Sequence, residues 1–167
     1  FVDSHNDSDQ SPLVLRGATQ STLDEVGRGF DDALGVVSLV KQDKKIVAGG
    51  GSSFAAMASY LRNHGASVGG RPQMAIEAFA DALEIVPATI AENAGHDPLD
   101  VVLAMRHEIQ NGNLHYGPNV TDGGITNMKD AGIFEPTKLI KQAVLSATEV
   151  TTSLLRIDDI IGRSPAE

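Results

Sequence analysis

The stretch from Leu23 to Gly51, LDEVGRGFDDALGVVSLVKQDKKIVAGGG, constrains this chain more than any other. Leu23, Val26, Phe30, Ala33, Leu34 and Val37 recur at the period of a helix with one apolar face. Ser21-x-x-Asp24 and Thr22-x-x-Glu25 both resemble capping boxes, which places the helix start here. Glu25, Arg28 and Asp32 fall on the opposite face, a turn apart. Gly27, Gly29 and Gly35 each cost about 1 kcal/mol relative to alanine, so this helix has to lean on tertiary contacts. Lys41 to Lys45 reads as a polar link, and Ile46-Val47-Ala48 leads into Gly49, Gly50 and Gly51. A carboxylate followed by a glycine platform suits a nucleotide site if the fold joins the two. On spacing alone, Asp32 is first an ion-pair partner for Arg28, and the glycines are first a helix-linking turn. The run fails the dinucleotide fingerprint, with Phe54 where a third glycine belongs, and lacks the Gly-Lys-Ser/Thr of a phosphate loop.

The remaining elements follow from punctuation and period. Phe1 to Pro12 is a polar lead-in, and Leu13 to Leu15 is expected as a short strand turned by Arg16-Gly17-Ala18-Thr19. Ser52 or Ser53 is expected to cap a helix with Phe54, Met57 and Leu61 facing inward. Gly65 to Gly70 is read as a flexible link, and Pro72 starts a helix carrying Ile76, Phe79, Leu83 and Val86 inward. Pro87 is expected to interrupt or restart that helix, and Gly95 to stop it. Asp97-Pro98-Leu99-Asp100 opens another helix, with Val102, Met105 and Ile109 inward and Asn111-Gly112 closing it. Turn residues split Leu114 to Met128 into short apolar pieces, which predicts a small hairpin. Glu135-Pro136 opens the last helix, reaching about Leu155, with a stripe of Ile140, Val144, Ala147, Thr151 and Leu154.

Several chemistries are excluded or unsupported. The 167 residues fit one domain and could bury roughly 70% of the unfolded surface. With no cysteine there is no disulfide, thiolate metal site or cysteine nucleophile. A net charge of −9 argues against nucleic acid, which needs clustered Lys and Arg, and fits a solvated acidic surface. No apolar run reaches the ~20 residues of a bilayer span. The five histidines are scattered, and His107-Glu108 lacks a histidine at 111, so no zinc motif stands. The first residue is Phe1, so the chain is expected to be a processed or excised piece.

Five motifs stand out in order: Val47-Ala48-Gly49-Gly50-Gly51, Gln73-Met74-Ala75-Ile76-Glu77-Ala78-Phe79-Ala80-Asp81-Ala82-Leu83-Glu84, and Ala91-Glu92-Asn93-Ala94-Gly95. Gly132-Ile133-Phe134-Glu135-Pro136 and Leu155-Arg156-Ile157-Asp158-Asp159 complete the set. Together they closely resemble a group II chaperonin subunit, the family of the archaeal thermosome and the eukaryotic cytosolic chaperonin. The resemblance runs from Leu13 onward and covers only the C-terminal part of a subunit. It implies a mainly α chain: a helical bundle of a chaperonin equatorial domain with a small β-hairpin, preceded by an intermediate-domain helix and a short apical-domain strand. The implied boundaries are 1–19 for the end of the apical domain, 20–45 for the intermediate-domain helix, and 46–167 for the C-terminal half of the equatorial ATP-binding domain.

Asp32 falls where the family keeps the aspartate that orients and activates the attacking water. Gly49, Gly50 and Gly51 match glycines that let the nucleotide approach the backbone. Asn119 and Val120 match the hairpin that contacts the base, and Glu135 matches the acid that binds the ribose hydroxyls. The resemblance implies ATP or ADP with Mg2+, a homo- or hetero-oligomeric double ring, unfolded protein substrates and a cytoplasmic setting. The phosphate-binding Asp-Gly-Thr-Thr loop and its magnesium aspartate lie outside these residues, so this chain alone should not turn over ATP. Departures from the family pattern fall at Ala18, Gly27, Phe54, Ala56 and Ala88, positions that bear on subunit contacts and inter-domain salt bridges. The alternative from another class is a stand-alone, non-enzymatic helical interaction or assembly module derived from a chaperonin.

Overall fold

The computed structural model describes residues 13–159. The chain divides between Lys44 and Lys45 into two compact units, each described by itself. The order is α1 (Gln20–Asp43), β1 (Ile46–Ala48), α2 (Ser52–Val68), α3 (Gly70–Asn93), α4 (Pro98–Gln110), β2 (Tyr116–Pro118), β3 (Ile125–Asn127), β4 (Phe134–Pro136) and α5 (Thr137–Leu155). This is the mainly helical chain with a small hairpin that the sequence predicts. No described helix is long and apolar enough to cross a membrane.

In the first unit, Thr19 rather than Ser21 or Thr22 caps α1, its extended backbone letting Oγ1 accept from Thr22 N at 3.2 Å. The helix runs through most of the expected polar link and ends at Lys44, whose left-handed backbone returns its N–H to Val40 O at 2.8 Å. No residue of α1 is buried, so its stripe of Val26, Phe30, Leu34 and Val37 stays exposed. Leu13 to Leu15 forms no strand. A three-residue strand exists only beside a ladder partner, and none of the described strands pairs with it.

In the second unit, α2, α3 and α4 make the core. Ala58 and Ala80 are fully buried and cluster with Leu83, while half-buried Phe54, Met57, Leu61 and Val144 cover them. A second cluster joins Ala55, Ala91, Val101, Met105 and Ile109, with Ile125 against it. Alanines at the contact let α2 and α3 approach closely, which decides which face of α3 turns inward. That face is Ala80, Leu83, Glu84, Pro87 and Ala91, whereas Phe79 and Val86, expected inside, are partly exposed. In α4, Val101 takes the inward place expected for Val102.

Two breakers act differently from expectation. Pro87 sits inside an unbroken α3. Gly65 is buried within α2, which continues to Val68, so the expected six-residue link contracts to the turn at Gly69 and Gly70. Both have positive φ, of 71° and 66°, where glycine alone is unstrained. The helix start at Asp97-Pro98 is as expected, with Asp97 Oδ1 accepting from Leu99 N at 2.8 Å and Asp100 N at 3.3 Å. Gly95, at φ 81°, ends the preceding turn.

The hairpin of β2 and β3 is antiparallel, pairing Tyr116 with Asn127 and Pro118 with Ile125. A second antiparallel pair joins β1 to β4 and sets Val47 opposite Glu135. α5 buries only Ile140. Ala147, Thr151 and Leu154, expected on its inner stripe, are exposed in this chain.

Candidate functional site

The three glycines form the turn between β1 and α2. Gly50 and Gly51 have φ of 62° and 75°, and Gly51 is the N-cap of α2. The serines expected as caps instead tie the turn to the strand: Ser52 Oγ and Ser53 Oγ both donate to Ala48 O, at 2.9 and 3.0 Å. A β carbon on Gly51 would lie 2.8 Å from Pro87 Cβ, and one on Gly50 would lie 2.6 Å from Met128 Sδ. One on Gly49 would meet Glu135 Oε1 at 3.0 Å. Close packing of protein against the turn is therefore the first reason for glycine at all three positions.

Glu135 reaches this turn because β4 pairs with β1. Gly50 N donates to Glu135 Oε1 at 3.1 Å, and Gly49 N donates to Ile133 O at 3.0 Å. Glu135 is half-buried, and its Oε2 carries no hydrogen bond among the described residues, so it can accept from a ligand hydroxyl. The hairpin backs onto the same turn: a β carbon on Gly117 would come within 2.7 Å of Gly50 O. The structure thus gathers Gly49, Gly50, Gly51, Glu135 and the hairpin in one unit.

Asn119 and Val120 occupy the hairpin loop. Asn119 Oδ1 accepts from Thr121 N at 3.0 Å and Asp122 N at 3.2 Å, which fixes the loop backbone. Its Nδ2 has no partner among the described residues, and Val120 is exposed, so both can meet a ligand. His96, at the start of the α3–α4 connection, lies under the loop, 3.2 Å from where a Gly123 β carbon would stand. No three His, Cys, Asp or Glu side chains gather among the described residues.

Asp32 lies on α1 in the first unit and is exposed. The Arg28 guanidinium pairs with Glu25, three residues before it, and not with Asp32, four residues after it, although helix geometry puts both within reach. The ion-pair partnership expected for Asp32 on spacing alone is therefore corrected, and its carboxylate is left free among the described residues.

Sequence reasoning missed a charged cluster that joins α2, α3 and α4. Glu84 on α3 is only 5% exposed and accepts from two arginines. Arg62 of α2 donates from Nη1 and Nη2 at 2.6 Å each, and Arg106 of α4 donates from Nε at 2.9 Å and from Nη2. Arg62 also reaches Asp81 at 2.6 Å. Burial pushes the Glu84 carboxyl up, but the hydrogen bonds from Arg106 and Arg62 outweigh it and hold Glu84 below its ordinary value. Beside β1 and α5 runs an apolar groove of about 910 Å³, walled by Val47, Met57, Phe134, Ile140, Val144 and Leu145.

Residues 1–165 match the sequence pattern of the TCP-1/cpn60 chaperonin family. Among curated relatives, the chain is 44% identical over 161 residues to thermosome subunit alpha of Halobacterium salinarum, covering 96% of this chain and 29% of the relative. It is 45% identical over 162 residues to a thermosome subunit of Methanothermococcus thermolithotrophicus, covering 96% and 30%. Among solved structures, it superposes on the open-state monomer of a group II chaperonin from Methanococcoides burtonii with a TM-score of 0.71 and 38% identity. That match covers 86% of this chain and 36% of the other. The chain thus spans about 30% of the length of these curated relatives.

Proposed function

The chain belongs to the TCP-1/cpn60 chaperonin family, and on that premise we propose that it is the C-terminal part of an ATP-dependent chaperonin subunit. The parent subunit assembles with its own kind or with sister subunits into a double ring that encloses unfolded protein in the cytoplasm, with no role for nucleic acid or membrane. The observation that carries the reading is the meeting of the glycine turn, Glu135 and the hairpin within one unit, sealed by the Gly50 N to Glu135 Oε1 bond of 3.1 Å. In this reading Glu135 Oε2 accepts a ribose hydroxyl, and Asn119 and Val120 border the base. Gly49, Gly50 and Gly51 bring the backbone up to the nucleotide without interposed side chains.

Asp32 is the group that orients and deprotonates the attacking water, carried on a helix that can close over the nucleotide. Its free carboxylate is compatible with that task. The magnesium ion supplies charge neutralisation on the phosphates, and its protein ligand lies in the part of the subunit outside this chain. The domains follow the boundaries 1–19, 20–45 and 46–167. Apolar surface left open along the groove and α5 supports a part of a larger subunit over a self-sufficient module.

Two measurements test this. The mass and sedimentation of the gene product in source cells should give a chain far longer than 167 residues in a large ring. In that assembly, Asp32→Ala should lower ATP hydrolysis by roughly 10²–10⁴-fold while nucleotide binding persists. A small product of this length, or an Asp32→Ala ring that hydrolyses ATP at the parental rate, overturns the reading.

A further inference from the structure

Met128 is only 1% exposed, yet it belongs to no helix and lies just past β3. Its side chain fills the space of two absent β carbons. One on Gly50 would stand 2.6 Å from its Sδ, and one on Gly117 would stand 2.9 Å from its Cε. Its backbone extends the same junction: Met128 N donates to His115 O at 2.8 Å, and Ile133 N donates to Met128 O at 2.8 Å. One residue thus touches the glycine turn, the base of the hairpin and the segment that delivers Glu135. An unbranched thioether can fill so irregular a gap between two backbones where a β-branched side chain cannot.

We propose that Met128 is the positioning residue that sets the base-contacting hairpin and Glu135 against the glycine turn, and thereby fixes the affinity of the site for nucleotide. The proposal rests on the nucleotide reading given above. Met128 itself touches no reacting atom. Truncating it leaves a void beside Gly50 and Gly117, so the hairpin gains room to shift.

The test uses the full-length subunit carrying this sequence, assembled as it occurs. Met128→Ala should raise the KM for ATP about tenfold and leave kcat within about twofold. Met128→Leu, close in volume, should stay near the parent. Leu83→Ala serves as the control, since Leu83 is also buried but packs with Ala58 and Ala80 in the cluster that no hairpin residue joins among the described residues. It should lower the melting temperature and leave KM unchanged. Amide hydrogen exchange at Gly117, Asn119 and Gly124 should quicken in Met128→Ala and not in Leu83→Ala. If Met128→Ala does not assemble, Gly117→Ala, whose new β carbon crowds Gly50 O, should raise KM in the same way.

An unchanged KM with unchanged hairpin exchange overturns the proposal, as does an equal rise in KM for Leu83→Ala. A parent that binds no adenine nucleotide would instead sink the nucleotide reading. The exchange measurement then decides by itself whether Met128 holds the hairpin.

Discussion

Glu84 is where three helices of the second unit are tied together by charge. Its side chain is almost wholly buried, and the charge is tolerated there because Arg62 and Arg106 satisfy both carboxylate oxygens. Glu84→Gln removes the negative charge and leaves two arginines facing each other. The expected loss is about 2–4 kcal/mol, discounted because both arginines keep some contact with water, and read from urea unfolding. The pH dependence has a definite sign. The folded carboxyl is held below its ordinary value of 4.5, so the unfolded chain binds the proton more readily. The stabilisation is therefore complete above that value and is lost as pH falls through the folded one. Wild-type stability should fall in that acid window, and Glu84→Gln should lack this part of the slope. At Gly51, φ of 75° and Pro87 Cβ at 2.8 Å act together, so Gly51→Ala should cost about 2–4 kcal/mol by the same measurement. Arg62 and Arg106 each lie 22 residues from Glu84, a separation with no local signature, which is why the cluster was illegible in the sequence. The glycine turn and Glu135 were legible because their residues carry a family pattern, not because anything local pairs β1 with β4.

At the scale of elements, local chemistry was the reliable guide, and rotation was not. The start of α4 is written in four adjacent residues, and Asp97 does what its position predicts. Asp97→Ala should therefore cost about 1 kcal/mol, seen as a lower urea midpoint with an unchanged slope. The inner face of α3 could not be read from its period alone. Phe79 and Val86 are larger than Ala80 and Ala91, yet close approach to α2 selects the small residues for the contact. Ala58, with no exposed surface, leaves no space for extra atoms. Ala58→Leu should destabilise by about 1–3 kcal/mol despite raising hydrophobicity, and a neutral or stabilising result would refute this packing. Pro87 was expected to break α3 because proline removes one helical hydrogen bond. Here Pro87 is buried inside the continuous helix and packed against Gly51.

The whole molecule is defined as much by what it leaves uncovered as by its core. Within the second unit, the last helix buries Ile140 alone and exposes Leu139, Leu145, Val150, Leu154 and Leu155. The groove of about 910 Å³ beside it is walled mainly by aliphatic and aromatic side chains. A monomer in water rarely keeps a contiguous apolar surface of this kind, because each exposed Å² forgoes about 25 cal/mol. The 167-residue chain by itself should therefore bind anilinonaphthalene sulfonate or self-associate, while melting with the cooperativity of its small core. Leu145 separates the two effects, since it lines the groove and is 48% exposed. Leu145→Asp should weaken dye binding and association while shifting stability by no more than about 0.5 kcal/mol. A dye-silent monomer across the micromolar range would mean that the groove is closed in solution. The case for a missing covering segment would then fall, and the stand-alone module would become the better account of the chain.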